Sequence, residues 1–214
     1  MKGYKHDYEY EWDVKYCYPE SFVLKNKFDI RDKEKLSEAE RRSTALNILE
    51  IMDKPVRGKF DFNHLKNIHR AIFQDVYAWA GTPRTVDISK GNPFCLSLHL
   101  ESYAESIFEK LKAENLLIGK TPEEMPGRLA YYLSEINVLH PFREGNGRTQ
   151  RVFIGYLAQY AGLSVDFSQV GGHEMIEASV QSFFSRYGMM TEMFERILSP
   201  ISPQERQAFH EKVF

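Results

Sequence analysis

The chain has 214 residues, 43% hydrophobic and 27% charged, with 28 Lys+Arg against 30 Asp+Glu and a formal net charge of −2. This composition excludes a disordered or fibrous protein, and the near balance of charge excludes bulk electrostatic binding to nucleic acid or an anionic membrane, leaving room only for a local basic site. Two cysteines, Cys17 and Cys95, cannot build a disulfide framework and fit a reduced, cytoplasmic setting.

The length suits one domain, 1–214, able to bury a core without covalent staples. With 15 Phe and 12 Tyr that core is expected to be ring-rich. Residues 1–15 have no apolar centre of a secretory signal, and no apolar run reaches the roughly 20 residues of a membrane span. Up to about Asn26 there is no periodicity, and Pro19 interrupts, so residues 1–32 read as an extended N-terminal arm. From Lys33 to Met52, Leu36, Ala39, Leu46 and Leu49 form a partial helical stripe. Asp61 then caps a helix in which Phe62, Leu65, Ile68, Ile72, Phe73, Val76 and Trp79 keep helical spacing until Gly81. From Arg84 the period changes. Thr85–Ile88 alternates, 89–93 is a cluster of turn formers, and Phe94-Cys95-Leu96 follows, so the spacing predicts a short β-hairpin or flap. Tyr103, Ile107, Phe108 and Leu111 mark another helix, ending near Gly119. Thr121 and Glu124 form a capping box for the next, which buries Leu129, Tyr132, Leu133, Ile136 and Leu139 and stops at His140-Pro141. A further helix resumes after Gly147 and ends at Gly162. Helical stretches follow around 175–184 and 190–198, and a polar tail, 199–214, is expected to be a loosely attached helix. The expected fold is mainly α, a helical bundle with one small hairpin.

The chemistry concentrates in His140-Pro141-Phe142-Arg143-Glu144-Gly145-Asn146-Gly147-Arg148-Thr149-Gln150-Arg151. Gly145 and Gly147 permit positive φ and leave backbone N–H groups uncovered at a helix start, which makes an anion nest. Arg148 and Arg151, three apart, fall on one side of the first turn and can fork phosphate oxygens. Glu144 beside phosphates suits Mg²⁺. His140, at the mouth of the loop, can reach an incoming hydroxyl as a base. Each feature alone has a bland explanation as a cap, a turn or a solvated face. Together they specify phosphate-anhydride chemistry.

This stretch resembles the signature of the Fic family, H-P-F-x-[D/E]-G-N-G-R-x-x-R, at every specified position, a match expected by composition at a given start on the order of 10⁻¹¹. The resemblance extends over a core of about 60–162, including Ile68-His69, the run from Asp75 to Gly81, and Arg84 to Gly91, which is similar to the family's flap. It implies a Fic-type helical fold and transfer of AMP from ATP to a Ser, Thr or Tyr hydroxyl of a target protein, with release of pyrophosphate. By position, it implies His140 as general base and Glu144 as the Mg²⁺ holder. Gly145, Asn146 and Gly147 line the nest, Arg148 lies on the β-phosphate side and Arg151 holds the γ-phosphate. Phe142 is read as a core anchor, and Arg143 has no role assigned.

The flap, Val86, Asp87, Ile88, Ser89, Lys90 and Gly91, is expected to offer a strand edge to the target's backbone, placing its hydroxyl near His140. His69, His99 and Cys95 are read as packing or surface residues without a zinc ligand set, and Trp79 as core. The signature does not encode an adenine pocket, so UTP or GTP stays open. Transfer of a phosphate group and a non-catalytic module binding nucleotide and partner are the alternatives, both disfavoured because no signature residue is lost. The resemblance further implies the toxin of a toxin–antitoxin pair or the catalytic domain of a bacterial effector, acting in bacterial or host cytoplasm. Many Fic proteins are restrained by a helix bearing [S/T]-x-x-x-E-[G/N], whose glutamate pairs with the arginine corresponding to Arg151. Here only Ser97–Glu101 and Thr191–Glu195 approach that pattern, and both lack its last residue. The expected restraint is therefore a separate small antitoxin supplying the glutamate, with Glu195 as the rival in cis.

Overall fold

The computed structural model describes residues 13–214. The first part of the expected arm, residues 1–12, lies outside the described residues. From residue 13 on there is no loose arm. The chain folds back around Pro19, with Tyr18 N–H donating to Val23 O at 3.0 Å, Lys25 N–H to Tyr16 O at 2.8 Å, and a bridge between Cys17 and Leu24. Tyr16, Cys17, Val23 and Leu24 are all buried in the core.

Helix α1 (Lys33–Asp53) starts where the Asp32 side chain accepts the Lys35 N–H. Its stripe differs from the expected one. Leu36 is buried, but Leu46 and Leu49 are 69% and 65% exposed, and the inward positions are Thr44 and Ile51. The reason is that α1 meets its neighbour partly through polar contacts: Asn47 Nδ2 donates to Ile72 O at 3.0 Å and to Asp75 Oδ2 at 2.8 Å. Helix α2 (Phe62–Phe73) is capped by Asp61 as expected but ends eight residues before Gly81. Residues 74–81 continue as successive turns, Tyr77 N–H to Phe73 O and Ala80 N–H to Tyr77 O. Val76 and Tyr77 stay buried, so the apolar spacing outlives the helix.

The hairpin is smaller than expected and displaced. Strands β1 (Ser89–Lys90) and β2 (Asn92–Pro93) pair antiparallel, Ser89 with Pro93 and Lys90 with Asn92, about Gly91 at φ +73. Pairing thus falls in the residues that read as a turn. The flanks do not form strands because their backbone groups are engaged elsewhere. The Arg84 guanidinium takes Val86 O and Cys95 O, and Cys95 N–H donates to Val138 O.

Helix α3 (Leu100–Ala113) ends six residues before Gly119, followed by a turn in which Asn115, Leu116 and Leu117 all have positive φ. Thr121 and Glu124 do cap each other reciprocally, at 2.9 and 3.3 Å, ahead of α4 (Met125–Leu139). Helix α5 (Asn146–Ala161) closes on Gly162 at φ +100. Then come β3 (Leu163–Val165), α6 (Gly172–Phe183), α7 (Gly188–Ile197), β4 (Leu198–Pro200) and α8 (Pro203–Val213). The β3–β4 pair, Leu163 with Pro200 through Val165 with Leu198, has no sequence signal beyond its length of three.

The tail is not loosely attached. Phe209 and Val213 of α8 are buried, Gly58 N–H donates to Val213 O at 2.9 Å, and Arg206 Nε donates to Tyr160 O at 3.0 Å. Helices α2, α4 and α5 form the centre of the fold, with α7 against α4 and α8 against α5. The core is ring-rich: Phe60, Phe73, Tyr77, Tyr132, Phe142, Phe153 and Phe194 are fully buried. The fold is mainly α with a small flap, and the α4–α5 junction carries the signature loop. No helix among the described residues is long and apolar enough to cross a membrane.

Candidate active site

Helix α4 ends at His140, which takes a left-handed conformation, φ 42 and ψ 59. Pro141 bars the ordinary helical state to the residue before it. A non-glycine residue in this region costs roughly 1–2 kcal/mol. Two contacts from Arg84 hold it there, Nε to His140 O at 2.9 Å and N–H to Pro141 O at 2.8 Å. The loop is then closed by Asn146. Its side-chain oxygen accepts the Phe142 N–H at 2.9 Å, and its amide donates to Phe142 O at 2.7 Å. The side chain of Asn146 is therefore a staple across the loop, and only its backbone N–H is left for a nest. Phe142 is buried, stacked on His69 with centroids 3.8 Å apart, as befits an anchor.

Gly145, at φ +83, is the residue from which α5 starts. A Cβ there would lie 2.2 Å from the Phe73 ring, so both backbone conformation and space demand glycine. The first N–H groups of α5, from Asn146 onward, lack intrahelical acceptors by construction and carry the positive end of the helix dipole. Gly147 adds no side chain over them; a Cβ at this position would meet Arg151 Nη1 at 3.5 Å. The elements of an anion nest are thus in place.

The His140 ring is buried, 5% exposed, with Nδ1 3.0 Å from Asn137 O. That carbonyl can only accept, so Nδ1 carries the proton and the lone pair sits on Nε2. Burial pushes the pKa down to about 3, with the Arg84 and Lys90 charges adding to the shift and the Asn137 carbonyl opposing it. At neutral pH the imidazole is therefore a neutral base. Phe94, directly after β2, lies flat on this ring with centroids 3.7 Å apart and planes 15° from parallel. The flap thus covers the His140 ring.

The two arginines differ. Arg148 Nη2 donates to Glu40 Oε1 at 2.5 Å, Nη1 donates to Thr44 Oγ1 at 3.0 Å, and Glu144 Oε1 stands 3.8 Å away. Among the described residues, Arg151 has no carboxylate partner. Burial and the neighbouring Arg148 charge lower its pKa, so an arriving anion would relieve both arginines. Neither Glu101 nor Glu195 reaches Arg151; both are exposed, on α3 and α7. Glu144 Oε1 accepts the Gly145 N–H at 2.8 Å. Burial and the Glu40 carboxylate raise its pKa, against the pull of that N–H, Arg148 and Arg143.

Comparison with known proteins places this geometry. The Fic/DOC family profile matches residues 59–158. Over 192 residues the chain is 34% identical to a relative from Escherichia coli (strain K12) described as "Probable protein adenylyltransferase Fic", covering 89% of this chain and 94% of that one. The chain belongs to the Fic/DOC family. It is also 39% identical over 203 residues to the protein adenylyltransferase VbhT of Bartonella schoenbuchensis, covering 92% of this chain but 42% of VbhT, so it spans less than half of that relative's length. Among solved structures, the N-terminal Fic domain of a VirB-translocated effector from Bartonella quintana, with bound ADP, superposes with a TM-score of 0.84 at 30% identity, over 90% of this chain and 98% of that one. BepC of Bartonella tribocorum, with bound AMPPNP, gives 0.83 at 28%, over 89% and 99%.

The Fic loop thus gathers His140, Glu144, Gly145, Asn146, Gly147, Arg148 and Arg151 at one helix junction. The flap residues stand beside it. Ile88 is buried, Asp87 accepts the Ser97 N–H at 2.6 Å, and Lys90 faces Glu144 and His140 electrostatically. Four supports of the loop carry no local signal in the sequence. Arg84 ties both flap flanks to the loop through the carbonyls of Val86, Cys95 and His140. His69 accepts the Gly81 N–H on Nδ1 and so donates from Nε2 to Glu144 O, at 2.8 and 3.0 Å, pinning the loop backbone. Glu40 and Thr44 lie more than 100 residues from Arg148, and no local pattern announces them. Arg143 is buried against Tyr16 and Cys17, joining the N-terminal segment to the loop.

Proposed function

We propose that this chain is a protein adenylyltransferase: it transfers AMP from ATP to a Ser, Thr or Tyr hydroxyl of a target protein and releases pyrophosphate. The observation that carries the reading is the intact Fic loop with a neutral His140 whose Nδ1 proton is fixed by Asn137 O. The names of VbhT and of the Escherichia coli relative, and the nucleotides in the Bartonella structures, support it.

In this mechanism the target hydroxyl gives its proton to His140 Nε2 as its oxygen attacks the α-phosphorus. The bond from that phosphorus to the oxygen bridging to the β-phosphate breaks, and pyrophosphate leaves. The N–H groups of Asn146 and Gly147, at the turn that Gly145 makes, hold phosphate oxygens, Arg148 the β-phosphate and Arg151 the γ-phosphate. Glu144 would hold Mg²⁺. One half-buried carboxylate beside phosphates suits an ion that keeps most of its water shell. When bound, the ion neutralises charge on the phosphates. The flap orients the target through main-chain bonds at its edge, with Val86 to Gly91 as the docking strip. That Arg151 lacks an acidic partner within the described chain supports a separate antitoxin supplying a glutamate, and a role as toxin or effector domain.

The test is intact-mass measurement of the isolated chain, and of proteins incubated with it, in ATP and Mg²⁺. A gain equal to one AMP residue is expected. A gain of one phosphate, or none, contradicts the reading. In the same assay, Glu195→Gly should leave basal activity unchanged; a silent parent chain switched on by Glu195→Gly contradicts the antitoxin part.

A further inference from the structure

Building on the nucleotide site of that reading, we propose that Glu40 of α1 is a positioning residue for nucleotide binding, which with Thr44 and Tyr77 fixes the guanidinium of Arg148 beside the phosphate nest. The cradle has three sides. Glu40 Oε1 takes Nη2 at 2.5 Å, Thr44 Oγ1 takes Nη1 at 3.0 Å, and the Phe73 ring lies under the guanidinium, 4.7 Å from its centre. The cradle is itself oriented. Tyr77 OH donates to the second oxygen of Glu40, and the Thr44 hydroxyl donates to Glu40 O at 2.8 Å while accepting from Arg148. Every hydrogen bond in the set has a defined direction.

A guanidinium is a rigid planar fork with five N–H donors. Two donors tied to α1 fix the plane and leave three for an incoming phosphate, already ordered. The carboxylate has a second effect. Glu144 is the other acid near Arg148, at 3.8 Å. Without Glu40, Arg148 would turn to Glu144 and occupy the oxygens assigned to the metal. Helix α1, residues 33–53, precedes the family match at 59–158, so the site is completed from outside that match.

The test is ATP affinity in Mg²⁺, by calorimetry on the full chain, with transfer kinetics alongside. Displacement of a positioned group by about 1 Å costs on the order of a hundredfold in rate. Glu40→Ala is expected to weaken ATP binding about tenfold, the scale of losing one hydrogen bond to a charged group, raising KM more than it lowers kcat. Glu40→Gln keeps an acceptor for Arg148 and should largely rescue. Once Arg148→Ala has removed the guanidinium, adding Glu40→Ala should cost no further affinity. Glu38→Gln, an equal charge change on the exposed face of α1 where Glu38 pairs with Arg42, is the control and should bind as the parent does. If Glu40→Ala fails to fold by thermal melt, Thr44→Val, which removes the bond to Arg148, and Tyr77→Phe, which removes the bond to Glu40, should weaken binding in the same direction. Unchanged or tighter binding in the folded variants overturns the proposal, as does a further loss from Glu40→Ala on top of Arg148→Ala. A parent chain that binds no ATP counts against the adenylyltransferase reading instead.

Discussion

The signature loop and the flap sit side by side, yet they are built on opposite principles. In the loop, residues 140–151, most polar groups are fixed: from outside, Arg84 holds His140 and Pro141, His69 holds the Glu144 carbonyl, and Glu40 and Thr44 hold Arg148, while from within Asn146 staples Phe142. The flap is held mainly at its base, by Arg84, the Asp87–Ser97 contact and the Cys95 N–H on Val138 O, and its strands are two residues long. Gly91 at its tip has nothing within 4 Å of where a Cβ would lie, whereas at Gly145 the Phe73 ring fills that space. The contrast fits a division of labour. Groups that stabilise a transition state must be preorganised, while the strip proposed to receive a target's backbone needs an open edge.

That comparison breaks most readily at His140. His140→Ala should lower AMP transfer by at least the roughly 10²–10⁴-fold that general base catalysis supplies, with ATP affinity little changed. Parallel loss of ATP affinity would mean that the residue builds the loop rather than serving the hydroxyl. Glu144→Ala should remove both activity and its dependence on Mg²⁺ concentration; a variant with the parent's metal titration would relieve Glu144 of that role. The glycines sharpen the contrast further. Gly145→Ala combines a left-handed backbone with overpacking against Phe73 and should cost about 2–4 kcal/mol of stability. Gly91→Ala carries only the backbone penalty, about 1–2 kcal/mol. Denaturant melts showing equal losses would erase the difference between the two regions.

The smallest expected effect is a pH shift where the two regions touch. Phe94 and burial hold the His140 pKa at about 3, below its ordinary 6.5. The folded state then refuses a proton that the unfolded state accepts, so stability is unaffected above pH 6.5 and falls as pH drops from 6.5 toward 3, by about 1.4 kcal/mol per unit. Phe94→Ala opens the ring to water and should move its pKa upward, toward 6.5. Imidazole NMR titration of both forms measures this, and an unmoved value would mean that the flap is not what covers the base.

How much of this was legible in the sequence follows from where the determinants lie. The loop was legible because its residues are contiguous and each has a distinct chemical reason to be there. Caps were legible too, since Asp61 and the Thr121–Glu124 pair act within three residues. The flap's strands were misplaced because Arg84 engages the flanking carbonyls, a contact that alternation cannot show. Helix α2 read too long because Val76 and Tyr77 remain buried after the helix has stopped. In α1 the apolar stripe misled: Leu46 and Leu49 face outward, while Glu40 and Thr44 meet Arg148. The tail looked polar, yet Phe209 and Val213 are enough to seat α8 on α5.

ATP labelled separately at the α- and γ-phosphates separates AMP transfer through the preorganised loop from every other outcome. Incubated with the isolated chain and Mg²⁺, the α-label should become covalently attached to protein and the γ-label should not, with His140→Ala silent in both. Attachment of the γ-label, or α-labelling that survives His140→Ala at the parent's rate, would contradict it.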